Sequence, residues 1–193
     1  MDIDYIVANA IYNFNKSTNN FFTPFLKFIT VSGNLGLIFI IVSLILLIFK
    51  KTRVVGIQIL ISLLLGTIIV NIIKPIVRRD RPFINESSDY YIFYTYAGSL
   101  KQSGFSLPSG HTCAAASFGF ILFLKYPKKY SYVYLLIPLI FGFTRIYFNV
   151  HYFTDVLLGF VIGVVVAIIS YYLFNYFTLF LVIDYIRRFW NKL

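Results

Sequence analysis

VVGIQILISLLLGTIIVNII, residues 54–73, holds no charged side chain. Its length matches the roughly 20 apolar residues that carry a helix across bilayer hydrocarbon. Outward from it, further charge-free stretches cover 28–49, 102–124, 130–144 and 156–183. Composition agrees. Of 193 residues 59% are hydrophobic and only 12% are charged, against about 25% charged in soluble globular chains. A soluble domain of this size could not hide so much apolar surface, so the expected fold is all-α, a polytopic transmembrane helix bundle of about five to six spans. Ser32-Gly33-Asn34 interrupts the first stretch, which places its helix from about Leu35 to Phe49. The fourth is long enough if Arg145 lies at the membrane edge and the helix runs to about Tyr147. The fifth covers one span and part of a further helix. Segments 3–15 and 21–31 are mixed in polarity and read as interfacial N-terminal helices. Asp2 and Asp4 replace a basic leader, so a cleaved signal peptide is not expected. No linker, low-complexity tract or internal repeat divides residues 1–193, which read as one integral-membrane domain.

The net charge is +10, from 17 Lys and Arg against 7 Asp and Glu. No continuous basic stripe accompanies it, so nucleic acid is not an expected partner. The cations lie instead between apolar runs. Lys50, Lys51 and Arg53 separate the first two spans; Lys125, Lys128 and Lys129 separate the third and fourth; Arg187, Arg188 and Lys192 follow the fifth. Alternate crossings put all three clusters on one side, which the bias of basic residues makes the cytoplasm. The N-terminus is then outside and the C-terminus inside a multi-pass plasma-membrane protein. Cys113 is the single cysteine, which excludes an internal disulfide and reads as a small core residue. His111 and His151 are the only histidines, too few for a zinc site without carboxylates.

A second polar set gathers on the outer side. Lys74 and Arg81 end span two, Ser109, Gly110 and His111 begin span three, Arg145 ends span four, and His151 and Asp155 begin span five. Ionisable groups at membrane depth are costly and mark function, although a lone arginine commonly snorkels to the interface. Lys74 and Arg81, seven apart, can share a helix face, and two fixed cations suit a phosphoryl group. Arg78 and Arg79 read as solvated or lipid-bound, and Asp80 as a local counter-charge. Ser109 can cap the following helix, and Gly110 leaves room for an anion at its free N–H groups. His151 and Asp155, four apart, stack on one helix face, where a carboxylate fixes the imidazole tautomer as a nucleophile or base needs. The same pair could merely tie helices together. Gly159 and Gly163 continue that face with close-packing spacing, which turns it into the bundle.

Together these blocks resemble the type 2 phosphatidic acid phosphatase superfamily. Its first motif, Lys, six residues, Arg-Pro, is matched by Lys74 to Arg81-Pro82. Its second, Pro-Ser-Gly-His, is matched by Pro108 to His111. Its third, Ser-Arg, five residues, His, three residues, Asp, is matched at Arg145, His151 and Asp155, with Thr144 in place of the usual serine. The short chain looks most like the bacterial undecaprenyl-diphosphatase and phosphatidylglycerophosphatase branch. The resemblance implies a phosphatase in which His151 is the nucleophile, Asp155 supports it and His111 is the acid and base. Lys74, Arg81, Ser109, Gly110 and Arg145 would bind the phosphate, with no metal and no cofactor.

The expected partners are the bilayer and a lipid phosphate. An outward-facing site favours undecaprenyl diphosphate, which is released outside, over phosphatidylglycerophosphate, which is made inside; phosphatidate is a further alternative. A lipid phosphotransferase shares the first half-reaction, and a phospholipid transporter could use the same cations without the His151/Asp155 pair. Tyr90, Tyr91, Tyr94 and Tyr96 read as an interfacial aromatic belt in the outer loop.

Overall fold

The computed structural model describes residues 2–126 and 129–190, with side chains to Tyr176. Among the described residues there are eight α-helices and three short 3-10 turns: α1 (Ile3–Ser17), α2 (Thr23–Ser32), a turn at Asn34–Gly36, α3 (Leu37–Ile48), α4 (Arg53–Val77), a turn at Pro82–Ile84, α5 (Asp89–Tyr96), α6 (Gly110–Lys125), a turn at Ser131–Leu135, α7 (Leu136–Tyr147) and α8 (Phe153–Trp190).

The helices meet lipid with one face and each other with another. Along α4, Leu64, Ile68, Ile72 and Ile76 are exposed at four-residue steps; Leu157, Val161, Val165, Ile169 and Leu173 repeat that stripe on α8. In water such stripes would be prohibitive; in hydrocarbon they are the solvated surface. The opposite faces bury Val55, Ile59 and Leu63 of α4 and Ala167 of α8 against Phe39 of α3, Phe118 of α6 and Phe141 of α7.

At the centre lies α6, buried on most of its circumference from Thr112 to Leu122. Its small residues let neighbours approach. A Cβ on Gly163 of α8 would fall 2.5 Å from the Cys113 carbonyl oxygen and 2.6 Å from the Ala116 Cβ. One on Gly159 would fall 2.4 Å from the Ser109 carbonyl oxygen. Both obstacles are on a fixed helix, so these two glycines set the α6–α8 distance.

Two helices, Arg53–Val77 and Phe153–Tyr176, are long and apolar enough to cross a bilayer. The pair Thr23–Ser32 and Asn34–Ile48 forms a third candidate, broken by a 48° bend. Segment 21–31, expected as an interfacial helix, is thus α2, which has the length and composition of a broken span or a re-entrant loop only when taken together with α3. Leu35 and Gly36 take positive φ at the break. The other expected spans are shorter. The third begins at Gly110 rather than near residue 102, and Ser131–Tyr147 covers the fourth. Both fall below about 20 residues. A charge-free run does not distinguish a span from the irregular loop before it.

Helix α4 stops at Val77, with Arg78 left-handed at its C-cap and Arg81 extended at φ −76°, ψ 153°. Pro82 disfavours helical backbone at Arg81, so Lys74 and Arg81 do not share a helix face. His151 likewise precedes α8 rather than lying on it. Lys50, Lys51, Lys125 and Lys129 are exposed, at the ends of α3, α4 and α6 remote from these residues. Lys128 and Lys192 lie outside the described residues, as do the side chains of Arg187 and Arg188.

Gly159→Ala is expected to lower stability by about 1–3 kcal/mol through overpacking. Gly110→Ala, whose Cβ would meet only Val70 at 3.8 Å, should melt like the parent. Thermal unfolding in detergent checks both, and an unchanged melting temperature for Gly159→Ala would contradict the packing account.

Candidate active site

Ser109 has extended backbone and caps α6: its Oγ accepts from the Thr112 N–H at 3.5 Å. Its own N–H donates to the Asp155 carbonyl at 3.0 Å, which pins the start of α6 to the first turn of α8. The Ser109 hydroxyl also lies 3.0 Å from Thr112 Oγ1. Gly110 and His111 follow on the first turn, where backbone N–H groups lack intrahelical partners.

The loop before α6 fixes two cations. Arg81 donates from Nε to the Gly104 carbonyl at 2.9 Å, from Nη2 to Ser103 at 2.9 Å and from Nη1 to Val150 at 2.8 Å. Its Nη1 also lies 3.4 Å from His151 Nε2. Lys74 Nζ donates to the carbonyls of Phe105 and Ser106. Ser106 returns two bonds to the irregular segment beyond α4, from N to the Arg79 carbonyl at 2.8 Å and from Oγ to the Asp80 carbonyl at 3.0 Å. The cations are therefore held by neutral acceptors, which orient them without neutralising them.

Arg145 is fully buried. Its Nη1 donates to Thr30 Oγ1 at 2.6 Å, whereas Nε and Nη2 have no hydrogen-bond partner among the described residues. A guanidinium buried in this way is costly unless an anion completes it. Thr144, beside it, turns its hydroxyl onto the Phe141 carbonyl at 2.7 Å.

His151 is 2% exposed. Its Nδ1 faces Asp155 Oδ2 at 3.3 Å, and that oxygen also accepts the Tyr152 N–H at 2.9 Å. Asp155 Oδ1 accepts from Arg79 Nη1 at 2.7 Å. With Nδ1–H turned to the carboxylate, the Nε2 lone pair is directed away from it. Burial, then the nearby Arg145, Arg81 and Lys74 cations, push the His151 imidazole well below its ordinary pKa and keep it neutral.

A cavity of about 450 Å³ joins these groups. Lys74, Arg81, Gly110, His111 and His151 are on its wall; Ile40, Leu60, Leu63 and Leu64 line its apolar part. Asp155, Ser109 and Arg145 stand behind that wall. His111 Nε2 lies 3.0 Å from Asn34 Oδ1, on the break between α2 and α3. Among the described residues no three His, Cys, Asp or Glu side chains cluster.

Sequence reasoning missed four contributors. Thr30 and Asn34 come from a stretch read as interfacial or as a break. Arg79, read as solvated or lipid-bound, is 29% exposed and bridges Asp155 and Asp4. Asp4, read only as a charge near the N-terminus, is 3% exposed. The tyrosines expected in a belt lie on α5 and are half-buried: Tyr90 meets Tyr5 and Tyr152 edge-on, and Tyr94 stacks on Phe83 at 4.3 Å.

Known proteins agree with this arrangement. An undecaprenyl-diphosphatase of Sulfolobus acidocaldarius is 29% identical over 133 residues, 69% of this chain and 62% of that protein. The bacitracin transport permease protein BcrC of Bacillus licheniformis is 37% identical over 67 residues, 35% of this chain and 32% of that protein. The chain thus spans less than two thirds of the length of either relative. Two crystal structures share the fold. Aquifex aeolicus LpxE superposes with a TM-score of 0.73 at 23% identity, covering 88% of this chain and 95% of that one. A transmembrane PAP2-type phosphatidylglycerolphosphate phosphatase of Bacillus subtilis superposes with a TM-score of 0.61 at 22% identity, covering 86% and 90%. The PAP2 superfamily model matches residues 55–179, well over half the chain, which therefore belongs to the PAP2 superfamily.

Proposed function

We propose that the protein hydrolyses undecaprenyl diphosphate to undecaprenyl phosphate and inorganic phosphate, through a phosphohistidine and without a metal. The observation that carries the reading is His151: a buried neutral imidazole with Asp155 on Nδ1 and Nε2 beside Arg81. The Nε2 lone pair attacks the terminal phosphorus, a P–N bond forms, and the bond to the leaving oxygen breaks. His111, on the same cavity wall, supplies the proton that the leaving oxygen needs. It then takes a proton from water as the water attacks phosphorus; the P–N bond breaks and phosphate leaves. Lys74, Arg81, Arg145 and the α6 N-terminus, with Ser109 and Gly110, stabilise the equatorial oxygens throughout.

The apolar part of the cavity suits a hydrocarbon tail held while the head group reaches the cations. The relative with the longer alignment is an undecaprenyl-diphosphatase, which supports that head group and polyprenyl tail. We place the site on the extracytoplasmic side of a bacterial plasma membrane and the C-terminus in the cytoplasm, on the separation between the basic loops and the site. On the same grounds we retain α6 and the Ser131–Tyr147 segment as additional spans, giving five or six.

Phosphate release from undecaprenyl diphosphate and phosphatidylglycerophosphate, measured in detergent with EDTA, tests the reaction. Release should persist in EDTA, favour the diphosphate and disappear in His151→Ala. Loss of turnover in EDTA, or full activity in His151→Ala, would overturn it. Phosphorylated acceptor in place of free phosphate would make the protein a transferase.

Because the folded imidazole is held below about 6.5, the value of free histidine, protonation of His151 falls in more acidic solution. Activity should therefore not fall as pH drops from 8 through 6.5. An acid limb in kcat/KM at or above 6.5 would contradict the assignment.

Arg145→Met removes a buried charge with unmade hydrogen bonds, so its melting temperature without ligand should equal or exceed that of the parent. Inorganic phosphate at about 100 times its Kd should stabilise the parent by about 2.7 kcal/mol and leave Arg145→Met unmoved. A phosphate response that survives the substitution would remove Arg145 from the anion site.

A further inference from the structure

The pair that orients His151 does not end at Asp155. Arg79 Nη1 donates to Asp155 Oδ1 at 2.7 Å, and Nη2 donates to Asp4 Oδ2 at 2.7 Å. Thr154 closes the circuit. Its N–H donates to Asp4 Oδ1 at 2.8 Å, its Oγ1 donates to Asp4 Oδ2 at 2.8 Å, and the same oxygen accepts from Arg79 Nη1 at 2.7 Å. The Arg79 guanidinium also lies 3.8 Å from the centre of the Tyr152 ring. One planar fork is thus held on two edges by carboxylates and on one face by an aromatic ring. Asp4 makes no contact with the cavity wall, and it stands outside residues 55–179, the part that matches the family.

We propose that Arg79 and Asp4 are positioning residues that fix Asp155 against His151, so that α1 forms part of the catalytic unit. The proposal rests on the phosphohistidine reading above. Asp155 needs an outside constraint. Its Oδ2 contact to His151 is long, at 3.3 Å, and apart from Arg79 the carboxylate is held by the Tyr152 N–H and the Ser106 hydroxyl, neither of which carries charge. Rotation of the carboxylate would release Nδ1 and free the imidazole to take the other tautomer. Arg79 blocks that rotation by gripping Oδ1, and Asp4 prevents Arg79 from swinging out to solvent, to which it is 29% exposed. Helix α1 is seated for the task. Tyr12 stacks on Phe93 of α5 at 4.5 Å, and Tyr5 donates from its hydroxyl to Asp89 at 2.7 Å. Substrate binding uses other groups, so the arrangement should act on turnover and not on affinity.

The experiment measures kcat, KM and melting temperature for Asp4→Asn, Arg79→Gln, the double variant and Arg79→Lys, with His151→Ala alongside, on the lipid diphosphate that the parent hydrolyses. Removing an orienting partner one step behind a reacting group lowers activity by about 10- to 100-fold. Asp4→Asn should sit near the low end and Arg79→Gln near the high end, with KM within about twofold of the parent and melting temperature preserved. Because Asp4 acts through Arg79, the double variant should be no slower than Arg79→Gln by more than about twofold, whereas independent effects would multiply. Arg79→Lys keeps the charge without the fork and should recover part of kcat. It also serves where Arg79→Gln does not fold. Parent-like kcat in both single variants, losses carried by KM or melting temperature, or multiplicative losses in the double variant would overturn the proposal. If His151→Ala is inactive in that same set, the phosphatase reading stands without it. If His151→Ala turns over normally, the reading fails and takes the positioning role with it.

Discussion

The contact between Asp155 and His151 depends on an electrostatic imbalance that the rest of the site is built to hold. Lys74, Arg79, Arg81 and Arg145 surround it, and among the described residues only Asp155 and Asp4 answer them with carboxylates. Four cations against two carboxylates leave a surplus of two positive charges around a buried imidazole. That surplus matches a phosphoryl dianion, which carries about −1.5 to −2 at neutral pH. It also explains why the fold gives Arg81 and Lys74 carbonyl partners and not acids. A carbonyl fixes geometry and leaves the charge available, whereas a carboxylate would cancel the field that the anion requires.

Such a field has to be held by backbone, and close helix packing supplies it. Gly159 lets α8 touch the Ser109 carbonyl, and the Ser109 N–H reaches the Asp155 carbonyl at 3.0 Å. The N-terminus of α6 and the carboxylate behind His151 are therefore parts of one rigid joint. The loop before α6 then stretches across to the end of α4, where its carbonyls capture Arg81 and Lys74. Three stretches far apart in the chain are thus locked together by hydrogen bonds that do not include the reacting atoms.

Much of this was legible in the sequence, for identifiable reasons. The α4 span follows from its charge-free length, and the Gly159/Gly163 stripe from helical periodicity, which depends only on local geometry. Lys74, Arg81, His111, His151 and Asp155 stood out because ionisable groups beside apolar runs are rare, and the structure brings them to one place. Helix boundaries near the site were not legible from charge alone. Absence of charge reads alike in a span and in a loop wrapped around a polar cavity, so the charge-free run from 102 to 124 does not show its own helix start, which the Ser109 cap does. Asp4 and Thr30 were invisible for another reason. An acid near the start of a chain and a threonine in an aromatic segment carry no local signal, and only tertiary contact over more than a hundred residues gives them a role.

The break between α2 and α3 shows how a membrane fold tolerates irregular backbone. Leu35 and Gly36 take left-handed conformations and the helix axis turns by 48°. Non-helical backbone at membrane depth survives where it lines a polar cavity, since its free polar groups then find partners. Here the break brings Asn34 to His111 and Gly33 to within 3.2 Å, measured from the position of an added Cβ, of the same ring. A continuous helix across 23–48 would cross the bilayer more regularly but would carry Asn34 away from the imidazole. The bend therefore reads as the local cost of placing Asn34 over His111, and the aliphatic side chain of Ile40 on α3 lines the apolar part of the same cavity.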